Sequence, residues 1–142
     1  MKEFVKRTFD LVCVFFASIV FSPFFVVVYF AIKHEDGGPA IFKQERIGKG
    51  GKPFMLYKFR SMKVDAEKNG KPQLWAGGED DRLTKVGKFI REHHLDELPQ
   101  LLNVFRGEMS FVGPRPERQY FIDKIKEHNP NYDYIYLMRP GL

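Results

Sequence analysis

Polarity along the chain changes abruptly at residue 11. From Leu11 to Ile32 the sequence, LVCVFFASIVFSPFFVVVYFAI, carries no charge. At about 1.5 Å per residue, a helix of that length crosses a hydrocarbon core of roughly 30 Å. Ser22-Pro23 falls midway, where proline removes a backbone donor and clashes with the preceding turn. A sharp break there would leave arms of about 18 Å and about 14 Å, short enough to enter one leaflet and return. Lys2, Lys6 and Arg7 precede the run and Lys33 follows it, so neither flank is marked as translocated. A re-entrant hairpin with both ends in the cytoplasm and a straight, proline-kinked span both fit this pattern. A cleaved signal peptide fits less well, since the apolar run is too long and no small-residue cleavage site follows it.

After the apolar run the periodicity shortens. PAIFKQERIGKGGKPFMLYKFRSM predicts two short strands around the turn GKGGK, residues 48 to 52, whose glycines supply positive φ. In the second strand Phe54, Leu56, Lys58 and Arg60 fall on one face, and Met55, Tyr57 and Phe59 on the other. Residues 63 to 80 are polar and glycine-containing, and read as a connector or a substrate-covering loop. Thr84 is placed to cap a helix with Val86, Phe89, Ile90 and His93 on one stripe. A second helix is predicted from an Asp96 N-cap, with Leu95, Leu98, Leu102 and Phe105 at helical spacing, Pro99 in the first turn and Gly107 as the stop. A third, about Glu117 to His128, carries Phe121, Ile122 and Ile125 on one side and basic residues around it, as packed core or as an interfacial helix. The pattern divides the chain into a membrane-associated segment, 1–36, and a small cytosolic domain, 37–142. The predicted class is α+β, mainly helical, with one short β-hairpin.

Composition narrows the partners. The net charge of +5, from 23 Lys and Arg against 18 Asp and Glu, favours anionic ligands such as lipid head groups or nucleotides. Nucleic acid is not expected, since the positive charge is dispersed and no binding motif appears. The single cysteine, Cys13, excludes an internal disulfide and cysteine-based metal motifs. Fifteen Phe and six Tyr suit either a lipid boundary or an aromatic core.

Candidate chemistry concentrates in HHLDELPQLLNVFRGEMSFVGPRP, residues 93 to 116. Asp96 and Glu97 are ordinary residues for a helix start. A carboxylate pair at such a place can also bind Mg²⁺, and an aspartate can attack phosphorus to give an acyl phosphate. Phosphoryl transfer further needs cations on the non-bridging oxygens, and Lys58, Arg91 and Arg115 supply them from three separate elements. Arg115 lies between Pro114 and Pro116, which restrict its backbone. Solvated surface charge is the alternative for each. His93-His94 and the acidic run Glu79-Asp80-Asp81 read as surface rather than as metal sites. GKGGK lacks the glycine spacing and the hydroxyl residue of a nucleotide phosphate loop.

FSPFF, QERIGKGGKPFMLYKFRSM, DRLTKVGKFIREHHLDELPQLLNVFRGEMSFVGPRP and the terminal RPG, in that order and over nearly the whole chain, resemble the signatures of the bacterial monotopic polyprenyl-phosphate phosphoglycosyl transferases, the bacterial sugar transferase family. The resemblance implies a re-entrant membrane helix broken at Ser22-Pro23 and interfacial amphipathic helices. It implies transfer of a sugar 1-phosphate from a UDP-sugar to undecaprenyl phosphate with release of UMP, the first membrane step of a surface glycan. Asp96 is then the nucleophile, Glu97 its metal-associated or acid/base partner, and Mg²⁺ the cofactor held by Asp96 and Glu97. Lys58, Arg91 and Arg115 match phosphate-holding positions. The implied location is the cytoplasmic face of the bacterial inner membrane. Membrane lipids, a second copy of the chain or downstream glycosyltransferases are the implied further partners.

Two departures qualify the resemblance. His93 and His94 stand where the family has small hydroxylated residues, with consequences for local pKa or metal sensitivity. RPG opens a longer motif in the family, so a chain ending at Leu142 is expected to be a C-terminally truncated copy or a catalytic-core fragment. The rival from a different class is a non-catalytic membrane tether that binds anionic lipid or a partner enzyme.

Overall fold

The computed structural model describes residues 2–66 and 80–142. Most of the expected connector, and Glu79 of the acidic run, lie outside them. Helix α1 spans Lys2–Asp36, strand β1 Ile41–Ile47, strand β2 Pro53–Phe59, α2 Lys85–Glu92, α3 Leu101–Arg106 and α4 Gln119–His128. Single 3-10 segments cover Lys49–Gly51, Leu95–Gln100 and Tyr132–Leu137. Helices thus dominate, with one two-stranded antiparallel sheet.

The apolar run does not separate into two arms at Ser22-Pro23: α1 continues through Pro23. Proline at 23 removes the N–H that would bond the Ile19 carbonyl four residues back. Ser22 Oγ donates to that carbonyl at 3.0 Å, so the freed acceptor keeps a partner and the helical run persists. α1 is long and apolar enough to cross a membrane. Phe15, Phe16, Ile19, Val20, Phe24, Val27 and Phe30 stand exposed along it.

The polar ends of α1 both bind the rest of the protein. Near the start, Glu3 pairs with Lys49 at 2.6 Å, Lys6 donates to the Val112 carbonyl, and Arg7 donates to the carbonyls of Val104 and Phe105. At the other end Glu35 accepts from the backbone N–H groups of Lys85 and Val86, and Asp36 takes a bidentate pair from Arg60. These contacts tie both ends of α1 to the rest of the protein.

Two small cores hold that arrangement. Val14 packs with Leu56, Val104 and Met109, while Val28 and Ile32 pack with Ala40, Phe59 and Ile90. Leu56 and Phe59 lie on opposite faces of β2, as alternation requires, so the hairpin is a shared wall between the two cores. Each buried apolar side chain contributes about 1.5–3 kcal/mol. The predicted hairpin forms as expected, with Ile41 opposite Phe59 and Ile47 opposite Pro53.

The helices differ in detail. Thr84 caps α2 by accepting from Gly87 N–H at 2.8 Å. Its buried face is Gly87 and Ile90 with half-buried Val86; the expected stripe members Phe89 and His93 are exposed and stack on each other, centroids 4.3 Å apart. Gly87 is needed there because a Cβ would meet the Ser61 carbonyl at 1.9 Å. Asp96 does not cap an α-helix. His94 flanks the 3-10 turn in a left-handed conformation, φ 55°, and Asp96 is the second residue of Leu95–Gln100. Proline at 99 withholds an N–H from that turn, and α-helix begins only beyond it, at Leu101. Gly107, φ 82°, ends α3 as anticipated.

Candidate active site

The 3-10 turn sets the geometry of the site, because its three-residue period lines up side chains at i and i+3. Leu95, Leu98 and Leu101 form one row, Asp96 and Pro99 a second, Glu97 and Gln100 a third. Glu97 and Gln100 line a cleft of about 120 Å³ together with Leu56 and Lys58 of β2, Arg46 of β1 and Arg115. Leu98, Pro99 and Leu101 line a different, apolar cavity of about 730 Å³ beneath α1. Asp96 therefore lies in the row between a polar wall and a greasy one.

Lys58 Nζ donates to Glu97 Oε1 at 2.9 Å, a half-buried pair. Asp96 itself is buried. Burial pushes its carboxyl above the usual aspartate range, the Glu97 charge adds to that, and Lys58 and Arg91 oppose it. Lys58 thus steadies both carboxylates, through a hydrogen bond to one and its field on the other. Of the expected phosphate holders, Lys58 and Arg115 share the cleft, whereas Arg91 stands exposed on α2 and acts on Asp96 and Asp80 through its field. Arg60, on the same strand face as Lys58 by alternation, is committed elsewhere: it pairs with Asp36 and donates to the carbonyls of Pro39 and Met62. Asp80 pairs with Arg82 at 2.8 Å, which holds its carboxyl below the ordinary value.

Arg46 belongs to the site although the chemistry above did not require it. Its guanidinium donates to the Pro116 carbonyl and Gln44 Oε1, lies 3.5 Å from Glu117, and keeps a buried Nε with no partner. Burial lowers its pKa, the Glu117 carboxylate opposes that, and the neighbouring charges of Arg115 and Arg118 add to the lowering. Arg46, Arg115 and Arg118 thus bring positive charge to this corner, with Glu117 set against it. Arg115 has no carboxylate partner among the described residues. The hairpin register contained the signal: Arg46 faces Phe54 and Phe42 faces Lys58, so Arg46 and Lys58 share a sheet face.

The loop bearing Arg115 is fixed by two elements distant in sequence. From α1, buried Asp10 accepts from Ser110 Oγ at 2.9 Å and Phe111 N–H at 3.1 Å. From the other side the RPG segment docks backbone to backbone: Ser110 N–H donates to Pro140, Leu142 N–H to Ser110, and Gly141 N–H to Pro114. A Cβ on Gly113 would sit 2.2 Å from the Arg139 carbonyl, so only glycine permits the contact. Buried Asn103 links α3 to β2 by accepting from Tyr57 N–H and donating to the Met55 carbonyl. Neither Asp10 nor Asn103 stood out in the sequence.

The paired carboxylates offer hard oxygen donors, the type Mg²⁺ takes when substrate phosphates complete its shell. The described residues contain no cluster of three or more His, Cys, Asp or Glu suited to an all-protein metal site. The donor set fits a metal shared with a phosphorylated ligand.

A family model described as Bacterial sugar transferase matches residues 1–142. Over 128 residues the chain is 48% identical to the "Putative undecaprenyl-phosphate N-acetylgalactosaminyl 1-phosphate transferase" of Bacillus subtilis, covering 90% of this chain and 70% of that protein. It is 43% identical over 139 residues to a UDP-N-acetylgalactosamine-undecaprenyl-phosphate N-acetylgalactosaminephosphotransferase of Aeromonas hydrophila, covering 98% of this chain and 32% of the relative. A UDP-glucose:undecaprenyl-phosphate glucose-1-phosphate transferase of Caulobacter vibrioides is 43% identical over 137 residues, 96% of this chain and 51% of the relative. The chain thus spans from 32% to 70% of the length of these relatives. With the family model matching every position, the chain belongs to the bacterial sugar transferase family.

Proposed function

We propose that the protein transfers a sugar 1-phosphate from a UDP-sugar to undecaprenyl phosphate, with Asp96 as the nucleophile. The observation that carries this is a buried aspartate beside the Lys58–Glu97 pair, at the edge of a cleft faced by Arg46 and Arg115. The names of the relatives supply the substrate classes: a nucleotide sugar donor and a lipid phosphate acceptor.

In the first half-reaction an Asp96 carboxylate oxygen attacks the sugar-proximal phosphorus. The bond from that phosphorus to the bridging oxygen breaks, and UMP leaves with the bond's electron pair. In the second, a phosphate oxygen of the acceptor attacks the same phosphorus, the bond to Asp96 breaks, and the carboxylate is restored. Arg46, Arg115 and Lys58 hold the non-bridging oxygens, and burial keeps Asp96 poorly solvated and reactive. Asp96 and Glu97 would hold Mg²⁺, which when bound neutralises charge on the transferring diphosphate.

The topology proposed with this reading places both ends of α1 on the cytoplasmic side. Its support is that Glu3, Lys6 and Arg7 at one end, and Glu35 and Asp36 at the other, bind the same domain. The exposed apolar side of α1 then faces the lipid of one leaflet, and α2 and α4, with exposed Phe89 and Tyr120, lie at head-group depth.

The test is UMP release from UDP-sugars by the protein in lipid nanodiscs with undecaprenyl phosphate. Asp96→Asn is expected to lower it by at least about 1,000-fold, since an amide cannot form the acyl phosphate. Activity within tenfold of the parent would remove Asp96 from the nucleophile's role.

A further inference from the structure

Asp10 is the buried acid of α1, 1% exposed, and the chemistry above does not use it. A carboxylate costs more to bury than an aliphatic side chain, and Val14, one turn further on, already makes the apolar contact with Val104 and Met109. Asp10 Oδ1 accepts from Ser110 Oγ at 2.9 Å and from Phe111 N–H at 3.1 Å, while Oδ2 is buried with no partner among the described residues. An unpaired buried carboxylate oxygen is destabilising, so stability alone does not account for an acid at this position.

What Asp10 holds is the entry to the Arg115 loop. Ser110 Oγ extends the contact by accepting from Val112 N–H at 3.4 Å. At the exit Arg46 donates to the Pro116 carbonyl at 3.1 Å, and between the two Gly141 N–H donates to the Pro114 carbonyl at 2.8 Å. Pro114 and Pro116 fix φ on either side of Arg115. The Arg115 side chain makes no hydrogen bond or ion pair with a described residue, yet it lines the cleft with Arg46 and Lys58. The guanidinium therefore takes its place from its backbone. Lys6 and Arg7, four and three residues before Asp10 and so on the same helical face, grip the neighbouring backbone at the carbonyls of Val112, Val104 and Phe105.

We propose that Asp10 is a positioning residue for Arg115: this acid of α1 sets the loop that presents Arg115 to the donor's diphosphate, so that α1 takes part in anion binding. The identity of the donor rests on the transferase reading, whereas the anion binding itself needs only the cleft.

The experiment measures the Kd of inorganic pyrophosphate by isothermal titration calorimetry, with the full chain in nanodiscs. The variants are Asp10→Ala, Asp10→Asn, Arg115→Met and the double variant Asp10→Ala/Arg115→Met. Asp10→Ala and Arg115→Met are each expected to weaken binding by at least about fivefold, a part of what one charge-assisted contact contributes. The double variant should lose no more than about twofold beyond Arg115→Met alone, because Asp10 acts through Arg115. Asp10→Asn, whose side-chain oxygen still accepts from Ser110 and Phe111, should stay within about twofold of the parent. If Asp10→Ala does not fold, Ser110→Ala deletes one of the two contacts from the loop side; it should weaken binding by about threefold and have no further effect in the Arg115→Met background. Affinity within about twofold of the parent in Asp10→Ala or its Ser110→Ala substitute, losses that multiply in the double variant, or no pyrophosphate binding by the parent would overturn the proposal. UMP release from a UDP-sugar by the parent, measured in the same preparation, tests the transferase reading separately.

Discussion

Asp96 carries opposite demands, and its environment expresses both. A buried carboxyl whose pKa is raised is penalised in its charged form, so the folded state loses stability as pH rises through that value and regains it as pH falls. The proposed nucleophile is the charged form. Activity should therefore fall on the acid side with an apparent pKa above that of an ordinary aspartate, and Lys58→Met should move that limb further up, since Lys58 opposes the shift. A pH–rate profile of both proteins checks this; an acid limb unmoved by Lys58→Met would contradict it. The same reasoning predicts that Asp96→Asn, though inactive, melts a few degrees higher than the parent at neutral pH, as differential scanning calorimetry would register. Arg46→Met should raise the donor KM by about tenfold or more, the consequence of losing one charge-assisted contact of about 1.5–3 kcal/mol.

Among elements, the RPG segment and the Arg115 loop depend on each other through two glycines. Gly113→Ala forces a Cβ into the Arg139 carbonyl and should cost about 2–4 kcal/mol in a urea titration, with Arg115 displaced. A loss under 0.5 kcal/mol would show that the docking is loose. Local chemistry made some elements legible in advance: glycines fixed the hairpin turn, Thr84 the start of α2, and Gly107 the end of α3. Other features depended on tertiary partners. Proline at 99 with a left-handed His94 turned the expected N-cap into a 3-10 turn, and that change of period sends Glu97 and Pro99 to different cavities. Ser22, read as part of a break, instead supplies the hydrogen bond that carries the helix past Pro23. Asp10 drew no reading from the sequence, since nothing in its neighbourhood foretells Ser110. Arg46 was accessible from alternation alone, but only with the strand register in hand.

For the molecule as a whole, the consequence is a division of labour between phases. In the proposed reaction a water-soluble donor and a lipid-borne acceptor need one catalyst within reach of both, and a helix bound to its domain at each end would hold that domain against the bilayer. Cysteines placed at Lys2 and at His34 should react alike with an impermeant maleimide, both protected in intact cells and both labelled after permeabilisation. Labelling of one from outside would place the two ends of α1 on opposite sides. In the proposed chemistry one buried carboxylate forms a covalent bond to the phosphosugar and gives it up to the lipid. Intact-protein and peptide mass spectrometry after incubation with a UDP-sugar and Mg²⁺, without acceptor, tests it directly. One sugar-phosphate mass should be added on Asp96, absent in Asp96→Asn and discharged when undecaprenyl phosphate is added. Transfer to the lipid with no adduct on Asp96 at any time would contradict it.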